Sequence, residues 1–464
     1  MRLVVIGGVA AGTKAASRAR RLDPNLEIMI YGEEPDTSIS ECGLPYLISG
    51  VVEHREDLVA RTPEKFAEKD IQALVRHRVE EINPEAKKLV VRNLTNGKSF
   101  EDSYDRLLVC TGAKAVMPPI DGADLDGIFA LRFLTDTDVI MRHIREHSPK
   151  KAVVVGGGYI GLEVAENLTA LDMEVSLIEG ADQLAGAFGS EVGENVEGHV
   201  REKGVHVFTG TPVEEFVGDD PSISSGGRVR AVRFGGQEVE AKIVILGVGI
   251  RPEVTLAKAA GIEIGETGAI RVDKYLKTSL PDVWAAGDCV ESTNLVTGEP
   301  AWVPLGDTAN QMGRVAGTNA VLDEDALEFP GVLGTGIFKV FDLAVAGTGL
   351  SEEEATDAGF EPVVATVKTV SSASYYPGGE KGFLKLVADG ETGRLLGAEA
   401  IGETADKLVD ICATAIWGKL SYPDLVNLDL AYSPPFGPAL SPVIQAASVL
   451  SNEFERHSGV TATE

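Results

Sequence analysis

The chain is short of cysteine, of basic charge and of long apolar runs, and each shortage narrows what it can do. Four cysteines, Cys42, Cys110, Cys289 and Cys412, are spread over 464 residues with no CxxC pair and no other metal-ligand spacing. Neither a disulfide framework nor a zinc site is indicated, so no metal is expected and a reducing cytoplasm is the expected location. Lysine and arginine number 42 against 71 aspartates and glutamates, a formal charge of -29. Such acidity disfavours non-specific binding to nucleic acid or anionic membranes, although a local basic patch can still hold an anionic ligand. No apolar stretch reaches the roughly 18 residues of a membrane span, so no membrane association is expected. The opening "MRLVVIGGVAAGTKAAS" superficially resembles a secretion signal. Its glycines break the apolar run early, and Lys14, Arg18, Arg20 and Arg21 follow at helical spacing, so it reads as a strand, a turn and a helix.

What the chain has in quantity is glycine, 52 residues, which points to tight turns and close backbone approaches. The length makes two to four domains the expectation. One pattern occurs twice. "RLVVIGGVAAGTKAASRARRL" is a β-rich run, a glycine turn and an amphipathic helix leading to the strand "LEIMIYGEE", and "KKAVVVGGGYIGLEVAENLTALDMEVSLIEG" repeats it. Each copy then passes through a hairpin, "KKLVVRNLTNGKSF" with its Asn96-Gly97 turn and "GRVRAVRFGGQEVE", and closes on an apolar strand, "RLLVCTGA" and "IVILGVGIRPE". After "TSLPDVWAAGDCVE" and a helical stretch, the texture changes to successive strands followed by helices, an α+β pattern. The expected fold is α/β, with two Rossmann-like dinucleotide-binding domains and a C-terminal α+β domain. The expected boundaries are 1–115 with 246–325, 116–245 and 326–464.

A GxGxxG turn lets backbone approach a pyrophosphate, and the following helix directs free N–H groups at it. Gly156, Gly158 and Gly161 satisfy the pattern, and Glu179 ends the next strand, where a carboxylate bonds ribose hydroxyls and repels a 2′-phosphate. NADH is therefore expected over NADPH. The first copy is less regular, with Gly7, Gly8 and Gly12 but Val9 in the middle, and with Glu33 and Glu34 after Gly32. Cys42 lies in "SISECGLPY". It could be a packing residue, half of a disulfide or a working nucleophile. Pro45 places it at a helix N-terminus, where a thiolate is expected to be stabilised. Cys110, Cys289 and Cys412 sit among small or apolar residues and are expected to pack in the core.

These stretches, with "GGGYIGLE", "GDCVE", "YYPG" and "AYSPPF", resemble the pyridine nucleotide-disulfide oxidoreductases along the whole chain. The likeness is to their single-cysteine branch, which holds coenzyme A disulfide reductases, NADH-dependent persulfide reductases, and NADH oxidases and peroxidases. The resemblance implies FAD in the first unit, NADH (with NADPH as the alternative) in the second, coenzyme A as a candidate ligand, and a homodimer formed through the third. It implies a flavin site drawn from Gly7, Gly8, Ala10, Ala11, Gly12, Glu33, Ser38, Thr111, Gly112, Asp288, Leu305, Thr308 and Ala309. The nicotinamide site would use Gly156, Gly158, Tyr159, Ile160, Gly161, Glu163, Glu179 and Gly249, with Tyr159 covering the flavin face until the nicotinamide arrives. Two-cysteine members have CxxxxC at the redox position, whereas Leu47 stands here, so the redox centre is expected to be Cys42 alone.

The resemblance also bears on the substrate. Members acting on peroxide or oxygen carry histidine where this chain has Ala10, and the C-terminal His-Glu pair of glutathione-reductase-like members is missing, the last histidine being His457 in a polar tail. Tyr432, with Tyr375 or Tyr376, matches the tyrosines that coenzyme A disulfide reductases bring to the site, where a hydroxyl can protonate a leaving thiolate; the alternative is packing at an interface. Arg18, Arg20, Arg21, Arg61 and Lys65 are candidates to hold the phosphates of coenzyme A or to be a solvated face. Two departures count against coenzyme A: Ile39 replaces a usual phenylalanine, and Glu41 precedes Cys42, where its charge would raise the thiol pKa and repel anions. A polysulfide or small persulfide is then a credible substrate. No rhodanese-like extension follows residue 464, so sulfur transfer is expected to need a separate partner. The expected activity is reduction of coenzyme A disulfide, persulfide or polysulfide; the alternatives are an NADH oxidase reducing oxygen and a flavoprotein electron donor to a protein partner.

Overall fold

A computed structural model describes residues 1–219, 227–322 and 326–457. The ends of two expected domains, at 323–325 and 458–464, lie outside the described residues. Continuous apolar runs such as Leu3–Ile6 form parallel strands buried on both faces, as such runs do when helices cover a sheet. The first sheet orders Val283–Ala285, Arg106–Val109, Arg2–Ile6, Glu27–Tyr31 and Ile71–Leu74, all parallel. The second repeats the plan with Ile128–Ala130, Ile243–Leu246, Lys151–Val155, Glu174–Ile178 and His206–Phe208. Its outer strand, Ile128–Ala130, comes from ahead of the repeat, whereas the matching strand of the first sheet comes from far behind it.

In both units the central strand runs into a glycine turn and then a helix, Ala10–Leu22 or Tyr159–Thr169. The turn is dictated by space. Gly7 has φ +116°, and a Cβ there would lie 2.0 Å from the carbonyl oxygen of Cys110. The hairpins form at the expected places, Lys88–Asn93 with Ser99–Ser103 and Val229–Phe234 with Gln237–Glu240. The chain crosses between the two units twice, and the crossings meet: Ala113–Ala115 pairs antiparallel with Ile250–Pro252. Thr111 Oγ1 donates to the Glu253 carbonyl at 2.6 Å beside this ribbon, and Lys114 pairs with the Glu253 carboxylate.

The third unit is an antiparallel sheet, in the order Gly336–Val340, Leu343–Gly349, Leu395–Ile401, Lys381–Asp389 and Pro362–Val370, packed on Ala405–Trp417 and Pro442–His457. His457, expected in a polar tail, is the last residue of that helix. No helix among the described residues is long and apolar enough to cross a membrane.

One helix crossing positions the first glycine turn. The helix Gly306–Asn319 lies against Ala10–Leu22 at Gly313 and Gly317, where an added Cβ would stand 2.3 Å from the Ala11 carbonyl oxygen and 2.5 Å from that of Ala15. A side chain there must push the helices apart. Gly317→Ala is expected to cost about 1–3 kcal/mol of stability, as overpacking does, measured as a lower urea midpoint at unchanged slope.

Candidate active site

Three elements converge on the first turn. Gly287 has φ +89°, and its added Cβ would come within 2.9 Å of the Ala11 Cβ, so the Gly287-Asp288 segment lies against the start of the first helix. Ser38 closes the other side, its N–H donating to the Gly8 carbonyl at 2.7 Å. Leu305 is the N-cap of the helix Gly306–Asn319, with Thr308 and Ala309 buried in its first turn. None of the N-caps Val9, Gly158 and Leu305 supplies a side-chain cap. Elsewhere the chain does cap helices with side chains: Asp136 accepts from the N–H groups of Arg132 and Phe133, and Ser351 accepts from that of Glu354. Uncapped N–H groups beside glycine turns suit phosphate oxygens.

At the second turn Gly156 has φ +105° and Gly158 faces open space. Glu179 reaches back to the loop, accepting from Gly157 N–H at 2.5 Å and from Ala181 N–H at 2.8 Å. Gly161 is tightly enclosed, its added Cβ meeting the Gly156 carbonyl. Ile160 is half-buried against the same core, and Gly249 holds φ +99° beside the interdomain ribbon. The two units differ in their strand-end acids. Glu33, expected at the flavin site, is exposed and ion-paired with Arg78, while its neighbour Glu34 turns inward and accepts from Thr135 Oγ1 at 3.0 Å.

Cys42 lies between these turns. It sits in the single turn Glu41–Gly43 just ahead of the helix Leu44–Ser49, and it is exposed. That short helix packs against Tyr159–Thr169, with Ser49 hydrogen-bonded to Asn167 and Tyr46 to Glu163. The thiol is therefore held where the two units meet. On its other side Arg132 forms a bridge: Nη1 is 3.1 Å from Glu41 Oε2, Nη2 is 2.9 Å from Asp288 Oδ2, and Nε donates to the Ala113 carbonyl at 3.2 Å. Gly112 leaves space for this guanidinium, 3.9 Å from where its Cβ would be. Arg132 was not visible as a site residue in the sequence, because its partners come from three distant segments and no motif surrounds it.

The thiol does not have the lowered pKa expected of a helix N-terminus. It is raised, first by burial and then by the charges of Glu163 and Glu41, with Arg132 opposing. A six-residue helix has little dipole to set against them. Burial also pushes Glu41 up to about 7, against the pull of Arg132, and Glu163 up to about 7, reinforced by Glu166. The expectation that Glu41 raises the thiol therefore holds. Tyr159 is half-buried at the head of its helix, edge-on to Phe188 and Phe338 at 5.9 and 5.1 Å, and burial raises it to about 12. Cys110, Cys289 and Cys412 are pushed up by burial and pack in the cores.

Of the candidate acids, Tyr375 and Tyr432 meet, their hydroxyls 3.2 Å apart, and Tyr376 does not join them. Tyr375, Tyr432 and Phe436 are 74%, 47% and 69% exposed, an aromatic surface on the third unit of the kind that marks an interface. The basic candidates divide. Arg61 donates to Ser17 Oγ at 3.0 Å and Arg18 to Thr318 Oγ1 at 3.0 Å, so both line the first helix, whereas Arg20 turns to backbone carbonyls, Arg21 is exposed and Lys65 is paired outward with Glu68.

Comparison with known proteins agrees with this arrangement. Residues 1–313 match the pyridine nucleotide-disulphide oxidoreductases, and residues 336–443 match the dimerisation domain of that family. An NAD(P)H sulfur oxidoreductase (CoA-dependent) of Pyrococcus furiosus is 37% identical over 451 residues, 97% of this chain and 99% of its own. An NADH oxidase of Methanocaldococcus jannaschii is 34% identical over 450 residues, 96% of this chain and 98% of its own. The structure of an NAD-dependent persulfide reductase from A. fulgidus superposes with a TM-score of 0.93 at 40% identity, covering 98% of this chain and 83% of that one. The chain belongs to the pyridine nucleotide-disulphide oxidoreductase family.

Proposed function

We propose that the chain is an FAD-dependent NAD(P)H oxidoreductase that reduces coenzyme A disulfide, persulfide or polysulfide through Cys42 as its single redox-active residue. The observation that carries this reading is the placement of one exposed thiol at the junction of two dinucleotide-type units, with no second cysteine at Leu47. Residues 1–115 with 246–325 would hold FAD, 116–245 the nicotinamide nucleotide, and 326–464 the homodimer contact. The glycine cradle, the uncapped helix starts and the Arg132–Asp288 pair fit an anionic dinucleotide. FAD, when bound, supplies the two-electron link between the nicotinamide and sulfur.

The chain's own part is thiol chemistry. The Cys42 thiolate attacks one sulfur of an S–S bond, a mixed disulfide forms, and the other sulfur leaves as a thiolate or sulfide that takes up a proton. Two electrons originating from NADH then cleave the mixed disulfide, restoring the Cys42 thiolate and releasing the bound substrate sulfur as a second thiolate or sulfide that takes up a proton. Tyr432 and Tyr375, presented across a dimer, would protonate the leaving sulfur. Hydrogen bonding to Tyr375 raises Tyr432 above its ordinary value, so its hydroxyl still carries a proton to donate well above neutral pH. Arg18 and Arg61 are the basic residues best placed to meet the phosphates of coenzyme A, while Glu41 and Glu163 favour a smaller, less charged substrate. An NADH oxidase is the second reading, favoured by the Methanocaldococcus jannaschii relative and disfavoured by Ala10.

The mass of the Cys42 peptide from oxidised enzyme tests the reading. An adduct of coenzyme A or of sulfur supports it, one oxygen points to the oxidase, and an unmodified thiol in the oxidised enzyme overturns it. Cofactor choice is a separate prediction. With its carboxylate fixed at the second turn, Glu179 should give NADH at least roughly tenfold higher kcat/KM than NADPH, and Glu179→Ala should narrow the gap. Equal rates in the parent enzyme would refute it.

A further inference from the structure

Away from Cys42, the last turn of the helix Leu134–His147 carries two histidines four residues apart, and Asp126 of the loop before the strand Ile128–Ala130 faces them. One ligand atom from each of Asp126, His143 and His147 lies within 4.8 Å of the others. We propose that these residues form a binding site for a divalent transition-metal ion of the zinc type, against the expectation from cysteine spacing that the chain holds no metal.

Four observations carry the proposal beyond a chance cluster. His143 is 6% exposed, and its Nε2 is 3.1 Å from the Lys242 carbonyl. That carbonyl accepts only from a protonated Nε2, so the neutral ring presents the lone pair of Nδ1 inward, 3.9 Å from Asp126 Oδ1. Ligating histidines are typically oriented in this way by a backbone carbonyl. The Asp126 carboxylate is likewise divided: Arg228 Nε holds Oδ2 at 3.2 Å and leaves Oδ1 to the cluster. The rings of His143 and His147 are 4.6 Å apart and steeply inclined, which lets both nitrogens approach one point. Finally, the site lies at a helix C-terminus, where the backbone dipole favours a cation.

Imidazole with one carboxylate selects zinc-like ions over calcium or magnesium, and bond lengths of about 2.0–2.2 Å require the donors to draw closer by roughly 1 Å. Asp126 is 54% exposed, so it can make that movement and leave the fourth position to water. The bound ion would tie the end of this helix to the loop that enters the second sheet. Asp126 is already joined to the Val229–Phe234 hairpin, its N–H donating to the Gly227 carbonyl at 3.1 Å and its carbonyl accepting from Val229 N–H at 2.9 Å. The clip would therefore fasten three segments.

The test uses the FAD-loaded enzyme with Cys42→Ser, which removes the exposed thiol as a competing ligand. After chelation and buffer exchange, Zn2+ is titrated by calorimetry and Co2+ by visible absorption. The expected result is one ion per chain, a tetrahedral-type cobalt spectrum and a metal-dependent rise in Tm. Asp126→Asn and His147→Ala should each weaken binding by roughly 10–100-fold and abolish the cobalt spectrum, while melting like the parent without metal. Absence of saturable uptake, or uptake unchanged in both variants, would overturn the proposal.

Discussion

Replacing Cys42 with serine should lower disulfide and persulfide reduction by on the order of 10³-fold or more, the scale on which loss of a nucleophile acts, while the yellow cofactor stays bound. A serine hydroxyl is not ionised at neutral pH and cannot exchange sulfur. The proposed cofactor cradle, by contrast, draws on the first glycine turn, Asp288 and the start of the helix Gly306–Asn319, none of which rests on the thiol. Two measurements decide the matter: the flavin-to-protein ratio, and anaerobic NADH oxidation with coenzyme A disulfide or polysulfide. Equal turnover in both forms would leave only a role as electron donor to a protein partner. Loss of flavin together with activity would show that Cys42 shapes the cofactor site.

Glu41→Gln should have the opposite effect on the thiol. In the parent, Glu41 and Glu163 ionise as pH rises through about 7, so negative charge accumulates beside Cys42 in the range where the thiolate is needed. Removing one carboxylate also frees Arg132 from one of its two acidic partners, and both changes favour the thiolate. Alkylation of Cys42 by iodoacetamide at pH 7.5 should accelerate roughly three- to tenfold, the effect of one nearby charge in a partly screened site. Binding of anionic coenzyme A disulfide should tighten. Stability should follow the same sign. A carboxyl group whose folded pKa lies above its unfolded value makes no difference below the unfolded pKa and destabilises the fold as pH rises toward 7 and beyond. The variant should therefore gain on the parent in urea midpoint from pH 5 to pH 8. An unchanged alkylation profile would show that Arg132 already neutralises Glu41.

Local chemistry made much of this readable in advance. The glycine turns, the hairpins at Asn96-Gly97 and Gly235-Gly236, and the strands of the third unit follow from patterns a few residues long, and the structure has them where they were expected. The errors share a cause, which is dependence on residues remote in sequence. Glu33 was expected at the flavin site, and its ion pair with Arg78, 45 positions on, could not be read from the motif around Gly32. The thiol was expected to be lowered by its helix, yet Glu163 reaches it from another unit. Arg132 joins residues 41 and 288, and no sequence window contains both. Gly313 and Gly317 match Ala11 and Ala15 across a helix crossing, a spacing of small residues that could have been noticed had the two helices been paired beforehand.

The ribbon of Ala113–Ala115 and Ile250–Pro252 sets how the middle unit can move. A segment attached by one strand could swivel freely; attached by two that hydrogen-bond to each other, it is confined to bending about a single axis. If the middle unit holds the nicotinamide as proposed, it should then approach and retreat along one arc, returning to the same seat against the helix Leu44–Ser49 at each turnover.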